Sequence, residues 1–222
     1  MVRGQSKWLT KQNYTELQSI NDLSYIKIKG DKMNKQIFII NGSGGVGKDT
    51  FCRMVEESLP LFADKFDGVR IIPVKTISSV DQIKEIAKFV GWNAKFKTEK
   101  DRKFLSDLKD LCSEYNDFPF NYMAIQVESF RESNRYVLFI HIREPKEIER
   151  AKQAFNAKTI LIKRDNVKHI TSNKADREVF DYGYDIVINN NGSKAELLDV
   201  AKEFCEDLLD NEIKSEYQSK EN

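Results

Sequence analysis

Histidine is almost missing from this sequence, with His141 and His169 its only two. A metal centre built from several imidazoles is thereby excluded. Cysteine is scarce as well. Cys52, Cys112 and Cys205 are odd in number, far apart and set in apolar-periodic segments, which predicts buried thiols in a reducing compartment rather than a disulfide framework or a thiolate metal site. No apolar run approaches the roughly 20 residues of a membrane helix, and the N-terminus lacks the apolar core of a signal peptide. Nor does one sign of charge dominate: 36 Lys and Arg against 35 Asp and Glu leave a net charge of +1. Nothing global attracts the chain to nucleic acid or to a membrane surface, so any anion it binds must be held by a local site. These absences predict a cytoplasmic protein with no nucleic-acid and no membrane partner.

The 222 residues suffice for one domain with a full core. Residues 1–34 form a polar extension, and Met33, just before the first strong strand, could be a second start or the edge of a leader. Residues 35–210 carry the domain, and 211–222 ("…KSEYQSKEN") read as a solvated tail. Within the domain, compact Ile/Val/Phe runs predict strands at 36–40, 69–77, 135–142, 157–164 and 184–189, each of the kind buried on both faces of a parallel sheet. Helical patterns occupy 48–59, 80–90, 101–115, about 120–132, 146–155 and 194–209. Val80, Ile83, Ala87 and Val90 share one face of the second. Phe104, Leu105, Leu108, Leu111, Cys112 and Tyr115 share one face of the third. Strand and helix in alternation give an α/β fold, a doubly wound parallel sheet of about five strands.

Gly42-Ser43-Gly44-Gly45-Val46-Gly47-Lys48 satisfies G-x-x-x-x-G-K between a predicted strand and a predicted helix, the context a phosphate-binding P-loop requires. Glycines let successive backbone N–H groups turn toward one point, and the helix N-terminus adds its positive dipole end. Lys48 supplies a mobile charge for the β- and γ-phosphates of a nucleotide such as ATP. The next residue in such loops is normally Ser or Thr, whose hydroxyl meets Mg²⁺; here it is Asp49. Two readings stand: a carboxylate that holds Mg²⁺ directly or through water, or a simple helix-start charge. Thr50 is placed to reach the α-phosphate.

The "GVGKDT" segment resembles small P-loop kinases with a G-K-D loop, the phage-type deoxynucleoside monophosphate kinases and the animal-type phosphomevalonate kinases. Further likeness lies in "IKEIA" (83–87), "DRKFLSDLKDL" (101–111), "HIREPKEIERAKQAFNAKTILIKR" (141–164) and "KRDNVKHITSNKADREVFDYGYDIVINNNGSKAELL" (163–198). The resemblance implies an ATP- and Mg²⁺-dependent kinase with a small phosphate-bearing acceptor and a lid at about 164–184. It places Lys84, Arg102 and Arg143 at the acceptor, and Arg164 and Arg177 on the lid near the phosphates. Lys48, Arg143 and Arg164 become the catalytic charges. Two departures are evident: Lys109 stands where that helix often carries glycine, and His141 replaces the acid of the family's Asp-Thr-Arg strand end.

Bland readings run beside these. Lys84 and Arg177 fit ordinary solvated charges. His141 fits either a core histidine or a polar group facing the acceptor, and "EYNDFPFNYM" (114–123) either packing or a base-stacking wall. Asn173-Lys174-Ala175-Asp176 matches the guanine motif of GTPases, yet no clean buried strand precedes it and no Asp-x-x-Gly segment accompanies it. The expected activity is transfer of the γ-phosphoryl group to a (deoxy)nucleoside monophosphate. The alternatives are a phosphomevalonate-like kinase or a non-catalytic nucleotide-binding module, acting as monomer or homodimer.

Overall fold

The computed structural model describes residues 35–63, 72–93, 98–167 and 178–220. Their elements, in chain order, are β1 (Gln36–Asn41), α1 (Lys48–Ala63), β2 (Ile72–Ser78), α2 (Asp81–Phe89), α3 (Glu99–Asn116), α4 (Phe118–Glu132), β3 (Arg135–His141), α5 (Pro145–Phe155), β4 (Lys158–Lys163), a short 3-10 turn at Glu178–Phe180, β5 (Ile186–Asn189) and α6 (Lys194–Lys220). The five strands pair in the order β2-β3-β1-β4-β5, every pair parallel. β1 therefore sits between β3 and β4, and the loop leaving its C-terminal end opens where the strand order turns, the usual ligand crevice of an open α/β sheet.

Side chains alternate along β1 and feed two cores. Phe38 and Ile40 join Phe51, Val55 and Leu59 of α1 and Leu197, Ala201 and Cys205 of α6. Ile37 and Ile39 join Met123, Val127 and Phe130 of α4 and Ile148, Ala151 and Phe155 of α5. Burial on both faces explains why the central strands read as unbroken apolar runs. Phe38, Phe51, Phe139 and Phe204 meet tilted or edge-on, with ring centroids 5.1 to 6.3 Å apart. Each buried phenylalanine contributes about 1.5–3 kcal/mol, so this cluster seats α1, and hence the loop before it, firmly on the sheet. Among the described residues no helix is long and apolar enough to cross a membrane.

Several expectations are corrected. β5 is an edge strand with Val187 half-exposed, because only one neighbour and one face cover it. On α3, Leu111 and Tyr115 point outward, and the buried residue is Lys109; this helix faces the start of α5, where an ammonium finds partners that a leucine would not. Val90 is exposed as well, since α2 ends at Phe89. Cys112 is only half-buried, unlike Cys52 and Cys205. The last helix runs to Lys220, through residues read as tail. No glycine or proline interrupts 194–220, so nothing in the backbone stops it. The polar extension 1–34, together with His169, Arg177 and the Asn173–Asp176 match, lies outside the described residues.

Candidate functional site

Sterics and two amide side chains fix the loop between β1 and α1. Gly42 has φ +147°, and a Cβ there would lie 2.4 Å from the carbonyl oxygen of Ile162 in β4; Gly47 has φ +101°, and its Cβ would lie 2.6 Å from Asn190 Nδ2. Neither position has room for a side chain. Asn41, fully buried, accepts the N–H of Gly42 at 2.8 Å and donates to the Arg143 carbonyl at 3.1 Å and the Tyr184 hydroxyl at 2.7 Å. Asn190 donates to the Val46 carbonyl at 2.8 Å, while its own N–H bonds the carbonyl of Lys163. Val46 itself packs into the core beside α1. The loop is thus clamped to β4, to β5 and to the end of β3.

What remains is a surplus of donors. Among the described residues, the N–H groups of Gly44, Gly45 and Gly47 make no hydrogen bond, and the Ser43 hydroxyl is buried without a partner. Lys48 Nζ donates to the carbonyls of Gly42 and Ser43, the latter at 2.9 Å. A buried donor that lacks an acceptor is costly unless a ligand supplies one, which applies to the Ser43 hydroxyl. A chain of phosphate oxygens is the acceptor this geometry fits.

Beside the loop, the end of β3 brings a second set of groups. His141 is level with Ile40 of β1 and Ser78 of β2. Its side chain is 15% exposed, with Nε2 3.8 Å from Asp49 Oδ1 and 3.9 Å from Cys52 Sγ. Burial pushes the imidazole down to about 4; Asp49 and Asp81 pull it back, and Lys48 and Arg143 add to the fall. It is neutral at physiological pH. Burial, with Asp49 nearby, raises the Cys52 thiol far above its usual range, so it stays protonated and unreactive. Of the two readings of His141, the structure gives a largely buried group whose Nε2 lies between the Cys52 thiol and the Asp49 carboxylate.

Lys48, Asp49, Asp81, His141 and Arg143 therefore share one neighbourhood at the strand ends. Asp81 is the member that sequence reasoning missed. It opens α2, accepts the Ser78 N–H at 2.7 Å and meets Lys84 Nζ at 3.3 Å. The sequence held no functional signal for it, since its bond to Ser78 marks only the approach to a helix start.

The other expected residues are more scattered. Thr50 lies half-buried in the first turn of α1. Lys84 is half-exposed and paired with Asp81. Arg102, in the first turn of α3, has no hydrogen bond or ion pair from its side chain among the described residues. Arg164 follows β4 and reaches the Gly192 carbonyl at 3.4 Å. Its turn is held by Asn191, which exchanges hydrogen bonds with Asp165.

Immediately behind Arg143 is a buried ionic cluster. Lys109 Nζ lies 2.7 Å from Glu144 and 2.6 Å from Glu147, both at the N-terminal end of α5. Burial works against the ammonium, yet the two carboxylates overcome it and hold Lys109 above its ordinary value. Burial pushes Glu147 up to about 7, with Glu144's charge adding and Lys109 opposing. Against the same face of α5 as Glu147, Phe120 stacks on Phe155 at 5.4 Å and lies under the Arg150 guanidinium at 3.6 Å, so both faces of this ring are taken by packing.

A parallel sheet with helices on both faces, a glycine loop leaving its central strand and a lysine opening the next helix define a P-loop α/β domain. Solved structures similar to this chain include shikimate kinase from Aquifex aeolicus, at 14% identity and TM-score 0.39 over 80% of this chain and 99% of that one. Another is the APS kinase CysC of Mycobacterium tuberculosis, at 14% identity and TM-score 0.38 over 81% and 99%. Shikimate kinase from Bacteroides thetaiotaomicron follows, at 14% identity and TM-score 0.36 over 79% and 98%. No family model matches the sequence, and no curated protein does.

Proposed function

We propose that this protein is an ATP-dependent phosphotransferase that moves the γ-phosphoryl group to a small phosphate-bearing acceptor, with a (deoxy)nucleoside monophosphate as the first candidate. The observation that carries the reading is the Asn41 side chain, which bonds the first glycine of the loop and the carbonyl of Arg143 at once. The loop and the chain at Arg143 are thereby tied together, and Arg143, whose charge reaches His141 beside the loop, is the guanidinium this reading gives to the acceptor. The unpaired donors of Gly44, Gly45 and Gly47 fit the donor phosphates, and the exposed Asp49 carboxylate fits a divalent cation beside them. Bound Mg²⁺ would offset the negative charge of the phosphates.

In this reading Lys48 exchanges its loop carbonyls for phosphate oxygens and follows the migrating charge. Arg143, with Arg102 and Lys84 at the border of the pocket, holds the acceptor through charge-assisted hydrogen bonds. Arg164 and Arg177 bring further positive charge from the lid. An acceptor phosphate already carries nucleophilic oxygens at neutral pH, so no general base is needed, which agrees with a neutral His141. The packing of Phe120 against Phe155 and Arg150 favours a second acceptor class, a non-nucleotide phosphate of the phosphomevalonate kind, because that aromatic is not offered to a base. The test is ADP formation from ATP with a panel of nucleoside monophosphates and small phosphometabolites. Turnover that requires one acceptor supports the reading and selects the class. ATP binding without turnover on any acceptor replaces it with a nucleotide-binding module.

A further inference from the structure

The cation position departs from the usual chemistry on both sides of the loop. Where the residue after the loop lysine normally offers a hydroxyl, the chain offers the Asp49 carboxylate, and at the end of β3 it offers an imidazole. The two atoms that face each other are Asp49 Oδ1 and His141 Nε2, 3.8 Å apart. That distance is too long for a hydrogen bond, and the Cys52 thiol, 3.9 Å from the same Nε2, is a weak partner that an ion would displace. Two cis ligands about 2.1 Å from an octahedral ion stand about 3 Å apart. The Asp49 side chain is 96% exposed and free to close the difference, whereas His141 is fixed by the strand and by its burial.

We propose that this pair holds the divalent cation of the phosphate site, and that the site therefore takes a first-row transition dication, Mn²⁺ in particular, in preference to Mg²⁺. The inference rests on the nucleotide-site reading above, because among the described residues no group of three or more His, Cys, Asp or Glu side chains could hold an ion alone. Phosphate oxygens and water complete the shell. Mg²⁺ demands oxygen ligands and sheds water reluctantly, and an imidazole contributes little to it. Transition dications accept imidazole readily, and Mn²⁺ also keeps the octahedral, oxygen-rich chemistry that a polyphosphate needs. Asp81, whose charge His141 also feels, would add negative charge near a bound cation.

The experiment loads the full chain with ADP, whose binding is first measured by calorimetry, and then titrates Mn²⁺ and Mg²⁺ in competition, following bound Mn²⁺ by electron paramagnetic resonance. The expected result is an imidazole nitrogen coupling together with a phosphorus coupling on the same Mn²⁺. In His141→Gln the nitrogen coupling should vanish. In His141→Asp the preference for Mn²⁺ over Mg²⁺ should fall at least about tenfold, since an all-oxygen shell returns the site to hard-cation chemistry. Asp49→Asn, at an exposed position that leaves the fold alone, should weaken Mn²⁺ while leaving the nitrogen coupling in place. Phosphorus coupling without nitrogen coupling in the wild type overturns the proposal and leaves the nucleotide site standing. Failure of ADP to bind at all overturns both.

Discussion

Asn190 donates its side-chain N–H to the carbonyl of Val46 at 2.8 Å, fastening the middle of the phosphate loop to the end of β5. The pair is buried, so removing the donor strands an acceptor. Asn190→Ala should cost about 1–3 kcal/mol, and in a chain of this size each kcal/mol lowers Tm by about 2–4 °C. Asn190→Asp keeps the shape, lacks the donor, and should fare no better. ADP affinity should fall in both; wild-type affinity in the aspartate variant would show that the tether does not shape the loop.

Lys48→Ala should remove phosphoryl transfer and leave stability nearly intact. The lysine now bonds two loop carbonyls that water can serve in its place, whereas its charge is needed where negative charge migrates. Turnover and thermal midpoint measured on one preparation separate the two effects, and near wild-type turnover would end the phosphotransferase reading.

Arg143→Ala should lose roughly 1.5–3 kcal/mol of acceptor interaction, a fall of about 10- to 150-fold in kcat/KM for the acceptor. ATP affinity should barely change, because Asn41 holds the backbone carbonyl at this position rather than the side chain. Lysine should recover only part of the loss, having no planar fork. Equal losses for donor and acceptor would point to structural damage instead.

The buried cluster behind Arg143 gives a pH signature. Glu147 titrates near 4.5 when unexceptional and about 7 in the fold, so between those values the folded state keeps a proton that the unfolded state has released. Its contribution to stability is fully present below pH ~4.5 and is lost as pH rises toward 7. Urea unfolding of Glu147→Gln and wild type across this window should show the wild type losing ground relative to the variant, then a constant difference above it. A parallel pair of profiles would mean that Glu147 titrates normally. Lys109→Met should be worse than either, by about 3–5 kcal/mol, because two partly buried carboxylates then lose their shared cation.

Much of this was legible in the sequence because it depends on local pattern. The five strand runs, the helices between them and the loop from Gly42 to Lys48 follow from periodicity and spacing. Lys109 escaped for the opposite reason: a lysine on an otherwise amphipathic helix reads as solvated, and only the fold brings Glu144 and Glu147, both more than thirty positions later, against it. Asp81 was hidden likewise. It joins His141 through strand register rather than sequence proximity. Asn41 and Asn190 look like turn residues until their amide groups are traced across the sheet.

The same long-range amides impose an order on synthesis. Asn41 waits for Tyr184, 143 residues further along, and Val46 waits for Asn190, 144 residues further along. A nascent chain displays the glycine loop long before it displays the partners that set its curvature. Domains gather as units during translation, and contacts this distant in sequence form late because the intervening loop must first be closed. Truncated or stalled chains therefore carry the loop's sequence without its shape. An incomplete copy of the protein would thus present the glycine loop without the two amide bonds that shape it.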